Sequence, residues 1–233
     1  DNGYFFRTAP SDARGGQILA DITKDRKIKS VAITYTNNDY GKGLADVYKA
    51  AVEGHGIKVT TVAAHEDGKA DYSAEVATLA SAGGDAVAVI GYIDQGGKGI
   101  IQASLDSGAF DVFILSDGMI GDSLTDNFGK ALNKSFGSLP GSTGKGAGVF
   151  ADVAKAAGID SSGPYTGESY DAAALITLAM QAGGKADRAT IQQNVMAVAN
   201  APGKKIYPGE LKKALDLLAK GKDINYEGAT GVE

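Results

Sequence analysis

Between residues 11 and 122, short β-branched runs alternate with helical periodicities, joined by connections of only a few residues. Ser11 is placed to cap a helix whose Ile18, Leu19 and Ile22 share one face. Lys29–Tyr35 then reads as a strand, and Thr36–Gly43 as a loop. A helix carrying Leu44, Val47, Tyr48 and Ala51 follows, then a strand over Ile57–Ala63. The next helix starts at Asp71 or Ser73 and buries Val76, Leu79 and Ala80. Ala86–Ile90 is apolar without a break, as strands covered on both faces are. Tyr92–Gly99 reads as a loop, Ile100, Ile101 and Leu105 mark a helix, and Val112–Ser116 is a further strand. Strands separated by single helices pair in parallel through right-handed crossovers. The expected fold is therefore α/β, a Rossmann-like doubly wound parallel sheet in which these strand segments are neighbours.

Past residue 138 the rhythm changes. Pro140–Gly148 is a glycine-rich connection, and helical patterns follow near Val149–Ala157, Ser169–Ala182, Arg188–Ala199 and Glu210–Ala219. No strand is expected among them. Ala172–Met180 is apolar nearly all round, so this helix needs burial on more than one side. The longest apolar runs fall far short of the roughly 20 residues of a membrane helix. The chain has no Cys and 2 His, which removes thiolate chemistry and leaves no basis for an imidazole metal cluster. A pI near 5.1 argues against nucleic acid as a partner. The sequence starts at Asp1 with no basic and apolar leader, so a mature or trimmed chain is expected.

Ligands of open parallel sheets bind outside the carboxyl ends of the strands. Here those ends carry Thr36, Asn37, Asn38, Asp39 and Tyr40; His65, Glu66 and Asp67; Tyr92, Asp94 and Gln95; and Ser116 and Asp117. That edge is acidic, amide-rich and aromatic, with no cluster of Lys or Arg. The first strand–helix turn lacks Gly-x-Gly-x-x-Gly, and there is no P-loop, no Gly-x-Ser-x-Gly and no His-Glu-x-x-His. The acids of Asp67–Glu75 lack calcium-loop spacing. Glu168 and Asp171 read as caps of the helix that begins there, and His65 as a surface loop residue. Tyr40, Tyr92 and Asp117 come from separate connections on one edge. Two rings and a carboxylate suit a small cationic or zwitterionic ligand: the rings supply walls, hydroxyls or a cation–π face, and Asp117 pairs with an ammonium.

Several segments, in order along the whole chain, resemble the substrate-binding proteins of branched-chain amino acid ABC transporters. They are Tyr4–Asp12, Val31–Leu44, Gly91–Gly97, Leu115–Met119, Gly167–Ala172 and Tyr226–Gly231. The resemblance implies a type I periplasmic binding protein, with two Rossmann-like lobes joined by three crossovers and the ligand held between them. It places residues 1–138 in the ligand-binding lobe, with 228–233 returning to it, and 139–227 in the helical part of an incomplete second lobe. The first half of the N-terminal lobe and the C-terminal tail are lacking on this reading, and with them the family's carboxylate-binding Ser and Thr. Tyr40 and Tyr92 match two cleft tyrosines. Asp117 matches the acid, commonly Glu, that takes the ligand ammonium, and Arg7, Glu168 and Tyr170 are secondary or hinge positions.

The implied function is that of a solute-binding component of an importer. Its ligand is an amino acid of branched-chain type or a related amide, and its partner a membrane permease. No catalysis, cofactor, metal or nucleic acid is implied, and the implied location is periplasmic, or extracellular and membrane-tethered. A ligand-sensing module of the same fold and an inactive fragment are the alternatives; an enzyme on a Rossmann-like sheet is disfavoured by the missing phosphate fingerprints. Apolar faces on the later helices predict self-association of a truncated chain.

Overall fold

The computed structural model describes residues 2–231. Two compact units are present, one of Pro10–Leu139 and one of Asp1–Ala9 with Pro140–Glu233. The first unit holds α1 (Asp12–Asp25), β1 (Ser30–Thr36), α2 (Asp39–Gly54), β2 (Lys58–His65), α3 (Ser73–Ala82) and β3 (Ala86–Ile90). It continues with α4 (Lys98–Ser107), β4 (Phe113–Leu115), α5 (Asp122–Phe128) and β5 (Phe136–Gly137). Its five-stranded sheet has the order β2-β1-β3-β4-β5 with every pair parallel. The strand segments expected to be neighbours are neighbours, with ends shifted by one or two residues.

Strand periodicity explains the layering. Val31 and Ile33 of β1 and Ala86, Ala88 and Ile90 of β3 join Leu19, Leu44, Tyr48 and Val52 of α1 and α2 in one core. The intervening Ala32, Val87 and Val89 join Val76, Leu79, Ile100 and Ile101 of α3 and α4 in another. A continuous apolar run such as β3 is thus divided between two covered faces. Each fully buried Ile or Val contributes roughly 1.5–3 kcal/mol. Tyr48 is buried without loss because its hydroxyl lies 2.9 Å from Thr23 Oγ1.

The other unit contains α6 (Lys145–Ala156), α7 (Thr166–Gly183), α8 (Arg188–Ala199), β6 (Lys204–Ile206), α9 (Leu211–Leu218) and β7 (Ile224–Tyr226). The expectation of no strand here is corrected: β6 and β7 pair in parallel across α9. Their signal is weak because each has three residues, and Lys204 and Lys205 face solvent. Ala174, Leu175, Leu178 and Ala179 of α7 share a core with Val195, Val198, Ile206, Ile224 and Tyr226. Among the described residues of the segment expected to return to the other lobe, Ala229 and Thr230 bond to Asp171 of α7. Residues 232 and 233 of that segment lie outside the described residues.

Candidate functional site

Tyr40 does not sit in a loop, as its sequence context indicates, but in the first turn of α2. Asn38 caps that helix by accepting from Gly41 N at 2.8 Å. Gly41 is required there, because a Cβ would lie 2.1 Å from the Thr36 carbonyl oxygen. The helix therefore starts tight against the end of β1 and turns Tyr40 across the sheet edge. Its hydroxyl donates to Asp117 Oδ1 at 2.6 Å and lies 3.1 Å from Ser116 Oγ. Burial pushes the Tyr40 phenol well above its ordinary value, and the bond to the Asp117 carboxylate adds to that. Tyr40 is therefore a neutral donor at any physiological pH.

Tyr92 follows β3, and its ring centroid is 5.2 Å from that of Tyr40 at 30°. Burial also raises its phenol, followed by the Asp117 charge. The segment after it is not a plain loop. Ile93–Gly97 forms a π-helical turn that runs directly into α4. Asp117 opens a 3₁₀ turn, Asp117–Met119, after β4. Gly118 lets these pieces meet: a Cβ there would stand 2.3 Å from Gly91 O and 3.1 Å from Tyr92 Cδ1. Gly91 N in turn lies 3.2 Å from Ser116 Oγ, so Tyr40, Tyr92, Gly91, Ser116 and Asp117 form one connected group. Along the rim, Thr36 Oγ1 donates to Asp67 at 2.8 Å and Asn37 Nδ2 to Glu66 Oε1 at 2.6 Å. The group offers two half-buried ring faces and an anionic acceptor, which suits an ammonium carried on a small apolar body.

His65, read from sequence as a surface loop residue, is 1% exposed. It is the last residue of β2, where its side chain turns inward under Gly91 and Gly96. The capping role read for Asp171 is also corrected. This residue is fully buried on α7 and accepts from Tyr226 Oη, the amides of Ala229 and Thr230, and Thr230 Oγ1.

Arg7, Glu168 and Tyr170 belong to the unit that contains α7. The Arg7 guanidinium is 5.2 Å from the Phe5 ring, Thr8 Oγ1 donates to the Glu168 carbonyl at 3.0 Å, and Gly209 N donates to Tyr170 Oη at 2.9 Å. One feature of this unit escaped the sequence reading. Tyr165, at the entry to α7, has φ +59°, a left-handed conformation that costs a tyrosine energy. It lines a cavity of about 380 Å³ with Phe150, Val153, Ile159 and Tyr170. A Pro-Tyr pair before a helix gives no sequence signal for that backbone. Among the described residues no group of three or more His, Asp or Glu could hold a metal ion.

A family model described as periplasmic binding protein matches residues 1–205. A Leu/Ile/Val-binding protein homolog of Brucella melitensis is 40% identical over 93 residues, 40% of this chain and 25% of that protein. A substrate-binding protein of a chemotactic signal transduction system, from Halobacterium salinarum, is 26% identical over 231 residues, 98% of this chain and 54% of that protein. Among solved structures, a leucine-binding protein of Thermotoga maritima superposes with a TM-score of 0.68 at 20% identity, covering 97% of this chain and 58% of that one. This chain thus spans about half or less of the length of these curated relatives.

Proposed function

The chain belongs to the periplasmic binding protein family, and from that premise we propose that it binds an amino acid of branched-chain type, or a related amide, for an ABC importer. The observation that carries this reading is the carboxylate of Asp117, held by Tyr40 Oη at 2.6 Å beside the paired rings of Tyr40 and Tyr92. The carboxylate takes the ammonium, and the ring faces cover its apolar neighbours. We read Pro10–Leu139 as the ligand-binding lobe, the later helices as part of its companion, and a membrane permease as the partner. The site of action is periplasmic or extracellular. Among the described residues no helix is long and apolar enough to cross a membrane.

The test is titration of the chain with leucine, isoleucine and valine to millimolar concentration, beside 4-methylpentanoate, which is leucine without its amino group. Amide resonances of Tyr40, Tyr92 and Asp117 are expected to move with leucine, and the des-amino acid to bind at least about tenfold more weakly, the worth of one charge-assisted hydrogen bond. Equal binding of the two, or shifts that avoid these residues, would overturn the reading. The halobacterial relative, matched over 98% of this chain and named for chemotaxis, favours a second reading in which occupancy is reported to a sensory partner. Loss of labelled-leucine uptake on deletion supports the importer. Loss of a leucine response with uptake intact supports sensing.

Self-association is the further expectation. Tyr4, Phe5, Phe6, Ile176 and Met196 are each 40–59% exposed, and all lie in the unit that contains α7. Tyr4, Phe6, Ile176 and Met196 line one cavity of about 360 Å³. An apolar surface of this kind associates in water. Sedimentation velocity should show the weight-average mass rising above 23.7 kDa with concentration, and Ile176→Lys with Met196→Lys should suppress the rise. A concentration-independent monomer contradicts it.

A further inference from the structure

His65 lies under the segment that carries Tyr92. Its Nδ1 is 2.8 Å from Thr34 Oγ1, and its Nε2 is buried with no hydrogen-bond partner among the described residues. Nε2 faces glycine backbone: a Cβ at Gly91 or at Gly96 would each sit 3.3 Å from it. The Tyr72 ring stands edge-on at 6.2 Å. Gly91 is in turn bonded through its amide to Ser116 Oγ, and its carbonyl packs against Gly118. A movement of the imidazole therefore reaches Gly91, and through it both Tyr92 and the Ser116–Tyr40–Asp117 contacts.

A neutral ring fits this place and a charged one does not. An imidazolium has two N–H donors. Thr34 can accept from one, and the other points at glycine backbone with no acceptor, which is costly in a buried setting. The carboxylates that act on the ring are Asp67 and Glu66, in the turn after β2, and Glu75 on α3. Thr36 already occupies Asp67 and Lys69 pairs with Glu75, although Glu75 Oε2 is itself buried without a partner among the described residues. We propose that His65 is a positioning residue for the Tyr92 segment, and that proton uptake at Nε2 turns the ring toward these carboxylates and displaces Gly91–Gly97 from the ligand edge.

The direction follows from burial, which lowers the proton affinity of His65 below its ordinary value of 6.5, while Asp67, Glu75 and Glu66 pull the other way. The unfolded chain binds this proton more readily than the folded one. The neutral-ring arrangement is therefore fully favoured above about pH 6.5 and weakens as pH falls from there to the lower folded value.

The chain's 2 histidines make the titration assignable. His55, 2.7 Å from Asp21 on the surface, is the control. Between pH 7.5 and 4.5, the amides of Gly91, Gly96 and Gly97 and the ring of Tyr92 are expected to shift with the same midpoint as the His65 ring, in the wild-type chain and in His55→Gln. In His65→Gln that transition should vanish. Persistence of the transition in His65→Gln, or a His65 titration that leaves Gly91–Gly97 and Tyr92 unmoved in the wild-type chain, overturns the proposal. The second criterion needs no variant to fold. An added leucine titration at pH 7.5 and pH 5 rests on the proposed function, with at least tenfold weaker binding expected at pH 5. If leucine binds at neither pH while the coupled shifts are present, the ligand reading fails and this one stands. If leucine binds alike at both, the displacement does not reach the ligand and the proposal fails.

Discussion

Asp171→Ala is expected to destabilise the unit containing α7 by about 3–5 kcal/mol, the range that loss of a buried hydrogen-bonded acceptor can reach. The carboxylate is fully buried, and it accepts from Tyr226 Oη at 2.8 Å, Ala229 N at 2.8 Å, Thr230 N at 2.8 Å and Thr230 Oγ1 at 2.7 Å. Truncation leaves the Tyr226 hydroxyl and the Ala229 amide buried with nothing to bond, at roughly 1–3 kcal/mol each. Water cannot easily replace the acceptor, because Tyr226 is 0% and Ala229 2% exposed. The neighbouring backbone is equally committed. Gly228 has φ +61° and approaches so closely that a Cβ would lie 2.6 Å from Asp171 Oδ1, and a Cβ on Gly146 would lie 1.8 Å from Gly228 O. Asp171→Asn keeps the volume and, with its oxygen in the Oδ1 place, the acceptor of Tyr226 Oη and Ala229 N, but it turns an N–H₂ donor toward Thr230 N, so it should lose less than Ala, about 1–3 kcal/mol. Urea unfolding gives the magnitude and amide hydrogen exchange the place. Exchange should accelerate through β7 and residues 227–230, and remain unchanged in β1 and β3. A loss below about 1 kcal/mol, or acceleration spread over Pro10–Leu139, contradicts this account.

Four of the five strands of the first unit's sheet could be read from sequence because each is an apolar or β-branched run set between helical periodicities, whereas the two-residue β5 left no such run. β1 and β3 place β-branched residues on both faces, and α2 carries an apolar stripe through Leu44, Tyr48 and Val52; of the stripe expected on α3, Val76 and Leu79 are buried but Ala80 is exposed. What could not be read depends on contacts between segments distant in sequence. β6 and β7 have three residues each and are fixed by pairing across α9 and by Asp171, 55 positions from Tyr226. His65 looks like loop because Glu66 and Asp67 follow it, yet it closes β2 with Thr34 as partner 31 positions away. The convergence of Tyr40, Tyr92 and Asp117 was expected because each follows the carboxyl end of a parallel strand. The means of convergence was not: an early helix start at Asp39, a π-helical turn and a glycine at 118 that no periodicity marks.

Asp117→Ala should weaken leucine binding by about 2 kcal/mol, roughly 30-fold, while leaving 4-methylpentanoate binding nearly unchanged. Truncating one member of a hydrogen-bonded charge pair costs roughly 2–5 kcal/mol. The low end applies because Asp117 is half-buried rather than enclosed, so water screens the pair. The alanine variant also removes the acceptor of Tyr40 Oη, though Ser116 Oγ at 3.1 Å remains within reach of that hydroxyl. Asp117→Asn separates the two effects. Its amide oxygen can still accept from Tyr40, so the Tyr40–Tyr92 ring pair at 5.2 Å should persist while the negative charge is gone. If charge pairing with the ammonium dominates, Asn and Ala lose leucine to a similar extent, and the des-amino acid is indifferent to both. If Asp117 only orients Tyr40, Asn behaves as wild type and Ala weakens leucine and 4-methylpentanoate alike. Chemical-shift titrations of the three proteins with the two ligands decide between these outcomes, because the amino group is the only difference between the ligands and the carboxylate charge the only one that Asn removes.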